Sequence, residues 1–173
     1  MRDRMKVRDE IDRSYVTIES PVGTLTLVAT TTGLSELLFD KPAATDVRRA
    51  LGRPSPRRSV LAESARQLRE YFAGKRSTFE IPLDLSGTEF QRRAWLGLLD
   101  IPFGATRSYA EHAARIGHPR AVRAVGAANG RNPIAIIVPC HRLVGSDGSL
   151  TGFGGGLSAK AWLLELERTA AAR

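Results

Sequence analysis

The chain has 173 residues, 42% of them hydrophobic, enough for one larger domain or two small ones. No apolar run approaches the ~20 residues that a membrane-spanning helix needs. The charged stretch from Met1 to Glu10 also lacks the apolar core of a signal peptide, so a soluble cytoplasmic protein is expected. A net charge of +8 calls for a polyanionic partner, and nearly all of it is arginine, with lysine only at Lys6, Lys41, Lys75 and Lys160. Arginine suits bidentate contacts to phosphates and bases, although a solvated basic surface produces the same count. The single cysteine, Cys140, excludes an intramolecular disulfide and any multi-cysteine zinc site. His112, His118 and His141 are too few and too scattered for a metal cluster, so neither metal nor cofactor is expected.

In chain order, residues 1–13 read as a charged tail and residues 14–85 as a small α/β domain. Tyr15–Ile18, Leu25–Val28 and Leu37–Phe39 are β-prone runs separated by turn residues at Ser20–Gly23 and Thr32–Gly33, which predicts an antiparallel meander. Lys41 to Ser59, with Pro42, Pro54 and Pro56, reads as a long exposed loop. A helix is predicted from Val60 to Phe72, burying Leu61, Ala65, Leu68 and Phe72 and stopped by Gly74. Phe79–Ile81 reads as another strand and Pro82–Gly87 as a linker.

Residues 86–169 form the second expected domain. Thr88 with Gln91 matches a capping box, followed by a helical stripe of Phe90, Ala94, Trp95 and Leu98 that Ile101–Gly104 ends. Ser108 with Glu111 is a second capping box, opening a helix closed by Gly117. His118 and Pro119 then read as the cap and first residue of a helix through Ala128. Two short helices around a glycine turn suggest a helix-turn-helix. Arg120 and Arg123 sit at i, i+3 among small residues, a pattern that serves close packing against a DNA groove or another helix equally well. His112 and His118 read as surface or cap residues, and Trp95 and Trp162 as core.

Ile134–Val138 reads as a buried strand leading into Pro139-Cys140-His141-Arg142. A thiol held there, beside an imidazole and a guanidinium, is expected to ionise readily; otherwise it is a small buried hydrophobe. A bridging water is the simple route for the thiol proton to His141. A carboxylate behind His141 would fix its tautomer, and Asp147, Glu165 and Glu167 are all candidates. A tight turn at Gly145–Gly148, a glycine-rich run at Gly152–Gly156 and a helix from Ser158 to Arg168 burying Trp162, Leu163 and Leu166 complete the chain.

Ile137-Val-Pro-Cys-His-Arg142, Gly152-Phe-Gly-Gly-Gly156 and Leu163-Leu-Glu-Leu-Glu167 together resemble the O6-alkylguanine-DNA alkyltransferases. The resemblance extends upstream through Ser108-Tyr109, Ala121–Gly126 and Asn132-Pro133, covering Thr88 to Glu167 with its motifs in order. It implies an α+β protein: a small N-terminal antiparallel sheet with a helix in ribonuclease-H-like outline, plus a mostly helical, winged-helix or helix-turn-helix-like C-terminal domain. It implies a monomer that binds double-stranded DNA carrying O6-alkylguanine and moves the alkyl group irreversibly to itself after nucleotide flipping, with cooperative binding on DNA left open. O4-alkylthymine is a second implied substrate.

By resemblance, Cys140 is the alkyl acceptor, His141 the base acting through water and Glu167 the carboxylate behind it. Tyr109 corresponds to the proton donor to guanine, Asn132 to a hinge residue and Arg123 to a finger replacing the flipped nucleotide. Arg120, Ala121, Ser108 and Tyr109 fall on the implied DNA-binding surface. Pro139, Leu143, Phe153, Gly154 and Gly155 fall in the implied pocket, with the backbone at Cys140 and Leu143 accepting from the guanine amine. Phe153 stands where some relatives have tyrosine, which removes a hydroxyl near the pocket. Two competing readings are a damage-recognition module with an idle Cys140 and a helix-turn-helix regulator of undamaged operator DNA; a missing dimerisation segment argues against the second.

Overall fold

Residues 13–39, 53–55 and 58–173 are described by the computed structural model, and they fall into two compact units divided between Leu85 and Ser86. In the first unit, β1 (Ser14–Ile18), β2 (Leu25–Ala29) and β3 (Leu34–Phe39) form the antiparallel meander. Its first turn is closed by the Gly23 amide donating to the Ser20 carbonyl at 3.1 Å. Leu25, Leu27, Val28 and Ala29 of the central strand are buried. A fourth strand, β4 (Arg53–Pro54), pairs in parallel with β1 and completes the order β3-β2-β1-β4. This edge lies inside the stretch expected to be an exposed loop; residues 40–52 and the tail at 1–12 lie outside the described residues.

Helix α1 (Ser59–Phe72) covers the sheet and ends where Gly74 takes a φ of 69°. Its buried face is rotated from the expected one, because Tyr71 is fully buried while Phe72 is half-buried. The rotation brings Ser64 and Gln67 inward, and both satisfy their polar groups. The Ser64 hydroxyl donates to the Val60 carbonyl, and the Gln67 amide grips the backbone of Glu80 through both N–H and C=O. That grip explains why Phe79–Ile81 is not a strand: a side chain occupies the place of a strand partner. The sheet bridge comes later, between Leu34 and Leu83, so the start of the expected linker is tied to β3 and to Thr30 through Asp84.

The second unit is mostly helical. Helix α2 (Glu89–Leu98) and helix α3 (Tyr109–Arg115) both start in complete capping boxes, at Thr88/Gln91 and Ser108/Glu111. Helix α4 (Val122–Gly130) follows α3, and α5 (Leu157–Ala171) closes the chain. Two short parallel strands, β5 (Arg107–Ser108) and β6 (Leu143–Val144), tie the start of α3 to the segment after Cys140. Trp95 is buried and donates its indole N–H to the Ala128 carbonyl at 2.7 Å, locking α2 to α4.

Four expectations are corrected here. Helix α4 starts at Val122, not Pro119, because the Ala121 amide closes a separate turn on the His118 carbonyl. His118 packs against the Phe90 ring and makes no cap. Trp162 is 36% exposed, because α5 turns Ala159, Lys160, Leu163 and Glu167 inward instead. His112 is fully buried, with one ring nitrogen 2.9 Å from the Ala94 carbonyl; that nitrogen must carry the proton, since a carbonyl only accepts.

Candidate active site

The segment from Ile134 to Val138 is buried, as its β-branched content requires, yet it is a turn and not a strand. Asn132 makes it so. Its side chain accepts from the Ile134 amide at 3.0 Å and donates to the Val138 carbonyl at 2.8 Å, while the Val138 amide closes on Ile134 at 2.9 Å. Ile136 at the tip has a φ of 74°, a strained conformation for a β-branched residue. Cys140 follows on a short 3-10 turn (Cys140–Arg142) and is 4% exposed.

Behind that turn lies a wholly buried charge cluster. Glu167 Oε1 accepts from His141 Nε2 at 2.7 Å and from Arg142 Nη2 at 3.0 Å, and Oε2 accepts from Arg142 Nε at 2.9 Å. The Gly104 amide adds a fourth bond at 3.1 Å. Gly104 has a φ of 81°, and a Cβ there would come within 2.7 Å of the Ala171 side chain, so this approach needs a glycine. Burial disfavours the Glu167 charge, but the bonds from His141 and Arg142 outweigh it and hold the carboxyl at about 2. Burial pushes His141 below its ordinary value against the pull of Glu167. His141 is therefore a neutral imidazole whose Nε2–H faces the carboxylate, leaving Nδ1 as the basic nitrogen.

The sulfur behaves differently from expectation. Burial raises the Cys140 thiol to about 11, opposed by a hydrogen bond from Asn132 and the charge of Lys160. Arg142, expected to favour the thiolate, is committed to Glu167 and to the Ile101 carbonyl at 2.6 Å. The resting group is thus a protected thiol that needs a base.

Lys160 is fully buried and escapes the sequence reading. Its ammonium donates to the carbonyls of Leu143 at 2.6 Å and Thr151 at 2.7 Å and lies 5.9 Å from the centre of the Tyr109 ring. Arg142 and Glu167 cancel each other, so Lys160 supplies the compensating positive charge for a thiolate. The signal was present: a lone lysine among small apolar residues in an arginine-rich chain. Tyr109 is half-buried, and its hydroxyl donates to the Thr151 carbonyl at 3.3 Å.

The other candidates spread outward from this cluster. Pro139 and Leu143 are buried beside Cys140, and the Phe153 ring lies edge-on to His141 with centres 6.3 Å apart. Gly154 is exposed and Gly155 half-buried in the loop that leads to α5. The Ser108 hydroxyl is occupied as the cap of α3. Arg123 is exposed on α4; Arg120, also exposed, and the half-buried Ala121 precede that helix.

Residues 89–169 match the family model described as the DNA binding domain of 6-O-methylguanine DNA methyltransferase, and residues 14–85 match that of its ribonuclease-like domain. The chain belongs to this family. The methylated-DNA--protein-cysteine methyltransferase of Mycobacterium bovis is 50% identical over 157 residues, covering 91% of this chain and 93% of its own. Its namesake from Methanosarcina barkeri is 47% identical over 156 residues, covering 88% and 96%. The Mycobacterium tuberculosis protein OGT, solved in complex with DNA, superposes with a TM-score of 0.81 at 49% identity over 91% of this chain and 94% of that one. Like these methyltransferases, the protein is a DNA-binding repair protein that takes an alkyl group onto a cysteine. Among the described residues no helix is long and apolar enough to cross a membrane.

Proposed function

We propose that Cys140 is the acceptor, and that the protein clears O6-alkylguanine, and O4-alkylthymine, from duplex DNA as a monomer, one molecule per lesion. The observation that carries this reading is the chain's only cysteine lying buried next to a neutral histidine fixed by a buried carboxylate. The thiol proton passes through a water to His141, whose rising positive charge Glu167 stabilises. The sulfur attacks the alkyl carbon, forming a C–S bond as the C–O bond breaks. The bond electrons go to the departing guanine, which takes a proton from Tyr109; the phenolate regains one from solvent. A thioether has no ready hydrolytic exit, so each molecule acts once.

The exposed Arg123 of α4 is the finger that replaces the flipped nucleotide, and Arg120, Ala121 and Ser108 line the same DNA-facing side. Asn132 braces the turn that presents the sulfur. Pro139, Leu143, Phe153, Gly154 and Gly155 line the pocket for the base. No step calls for a cofactor.

Mass spectrometry after mixing with duplex DNA containing O6-methylguanine tests the proposal. One added methyl group on the Cys140 peptide is expected, and Cys140→Ala should bind the duplex without gaining it. An unmodified wild-type peptide would leave a damage-recognition module as the surviving reading.

A further inference from the structure

Asn129 lies near the end of α4 and is 7% exposed. Its amide nitrogen donates to the Cys140 carbonyl at 3.3 Å. The oxygen of the same side chain is buried without a hydrogen-bond partner. Asn129 lines a gap too small for water together with Ala94, Trp95, Leu98, Val125, Leu143 and the His112 ring, whose nitrogens face the Ala94 carbonyl and Arg107. The orientation is unambiguous, because a carbonyl can only be met by the NH2 end. An acceptor stranded in such surroundings costs stability that an apolar side chain of similar size would not. Packing alone therefore does not explain an asparagine here.

The neighbouring bonds supply a reason. Three residues on, Asn132 donates to the Val138 carbonyl at 2.8 Å, and the Cys140 amide donates to that same carbonyl at 2.8 Å. One side chain from the last turn of α4 and one from just beyond it thus hold the nucleophile's backbone on both sides of Pro139. Buried polar groups left partly unsatisfied call for a specific explanation of this kind.

We infer that Asn129 is a positioning residue for alkyl transfer, tying the helix that carries Arg123 to the backbone of Cys140. It is buried, and its amide donates to the Cys140 carbonyl and not to the sulfur. Its work is to hold the Cys140 carbonyl, and with it the direction of the Cα–Cβ bond, at a fixed place relative to α4. The Leu143 amide donates to the same carbonyl, so Asn129 completes its pair of donors from the helix side.

The experiment uses the full chain with cysteine labelled by carbon-13 at its carbonyl, which gives one protein signal because the sequence has one cysteine. Asn129→Leu is expected to shift that signal upfield, keep the melting temperature at or above that of the wild type, leave duplex affinity unchanged and slow methyl transfer about tenfold. Asn129→Met, with a slimmer unbranched stem, carries the same expectation and serves if leucine does not fit. Transfer at the wild-type rate would overturn the inference. So would slower transfer with a lowered melting temperature, the result that a packing role gives. The inference rests on Cys140 being the acceptor; that reading fails or stands on the wild-type peptide mass, whereas this one is decided by the variants.

Discussion

Both units carry exposed ion pairs, but among the described residues the second also buries a charged cluster. On α1, Arg66 bonds Glu63 and Glu70, and Arg76 pairs with Glu70, with side chains between 19% and 50% exposed. Such pairs sit in water, are screened by salt and hold little in place. In the second unit Glu167 and His141 are fully buried, Arg142 nearly so, and Lys160 is enclosed with its ammonium on two carbonyls. Burying charge costs desolvation energy, so its presence around one short turn indicates selection for geometry over stability. The first unit is held by apolar packing of sheet and helix, and the second adds to its own apolar core a set of polar ties that converge on Cys140.

Glu167→Gln should break this contrast most severely. It leaves the Arg142 charge buried without its counterion and is expected to destabilise the second unit by about 3–5 kcal/mol in urea unfolding, with transfer to Cys140 largely lost. Acid should act in the same direction. The Glu167 carboxyl is lowered from 4.5 to about 2, so its contribution is complete above the ordinary value and is lost as pH falls through about 2. An acid titration followed through the buried Trp95 should show the second unit loosening in that window.

Lys160→Met is the next largest. Removing the cation raises the Cys140 thiol further, so transfer at neutral pH should fall about tenfold and recover as pH is raised. A pH–rate profile displaced to higher pH checks this; a uniform loss at every pH would assign Lys160 to packing alone. Arg123→Ala should slow repair of duplex DNA while sparing reaction with free O6-alkylguanine base, compared in parallel rate assays. Arg66→Ala should change neither melting temperature nor transfer rate measurably, and a loss of activity there would undo the contrast between the units.

Features encoded by near neighbours in sequence were legible before the fold was known. Both capping boxes formed, because Thr88 with Gln91 and Ser108 with Glu111 need only three residues of separation. The three meander strands also formed, since alternation and turns are local. Ile134–Val138 misled because its β-branched residues state burial, whereas Asn132 states a turn, and side-chain bonds to the backbone override propensity. Phe79–Ile81 failed for a related reason, the grip of Gln67. Residue logic left three carboxylates open behind His141, and the family resemblance selected Glu167. Lys160, His112, Asn129 and the true partner of Arg142 were out of reach, because their bonds span between 9 and 41 residues and exist only once the helices pack. The readily ionised thiol was wrong in sign, since sequence shows the neighbours of Cys140 but not its dehydration.

Much of the support around the sulfur ends on main-chain oxygens: Val138 and Cys140 for the two asparagines, Leu143 and Thr151 for Lys160, Ile101 for Arg142. A peptide oxygen is present whatever residue the codon specifies. The exposed Thr151 is therefore free to drift in side-chain size without dismantling the scaffold, provided the backbone course survives, whereas Leu143 is held by its own burial. Selection can resculpt the rim of this site for new adducts at such an exposed position, while the donors Asn129, Asn132, Arg142 and Lys160 stay put.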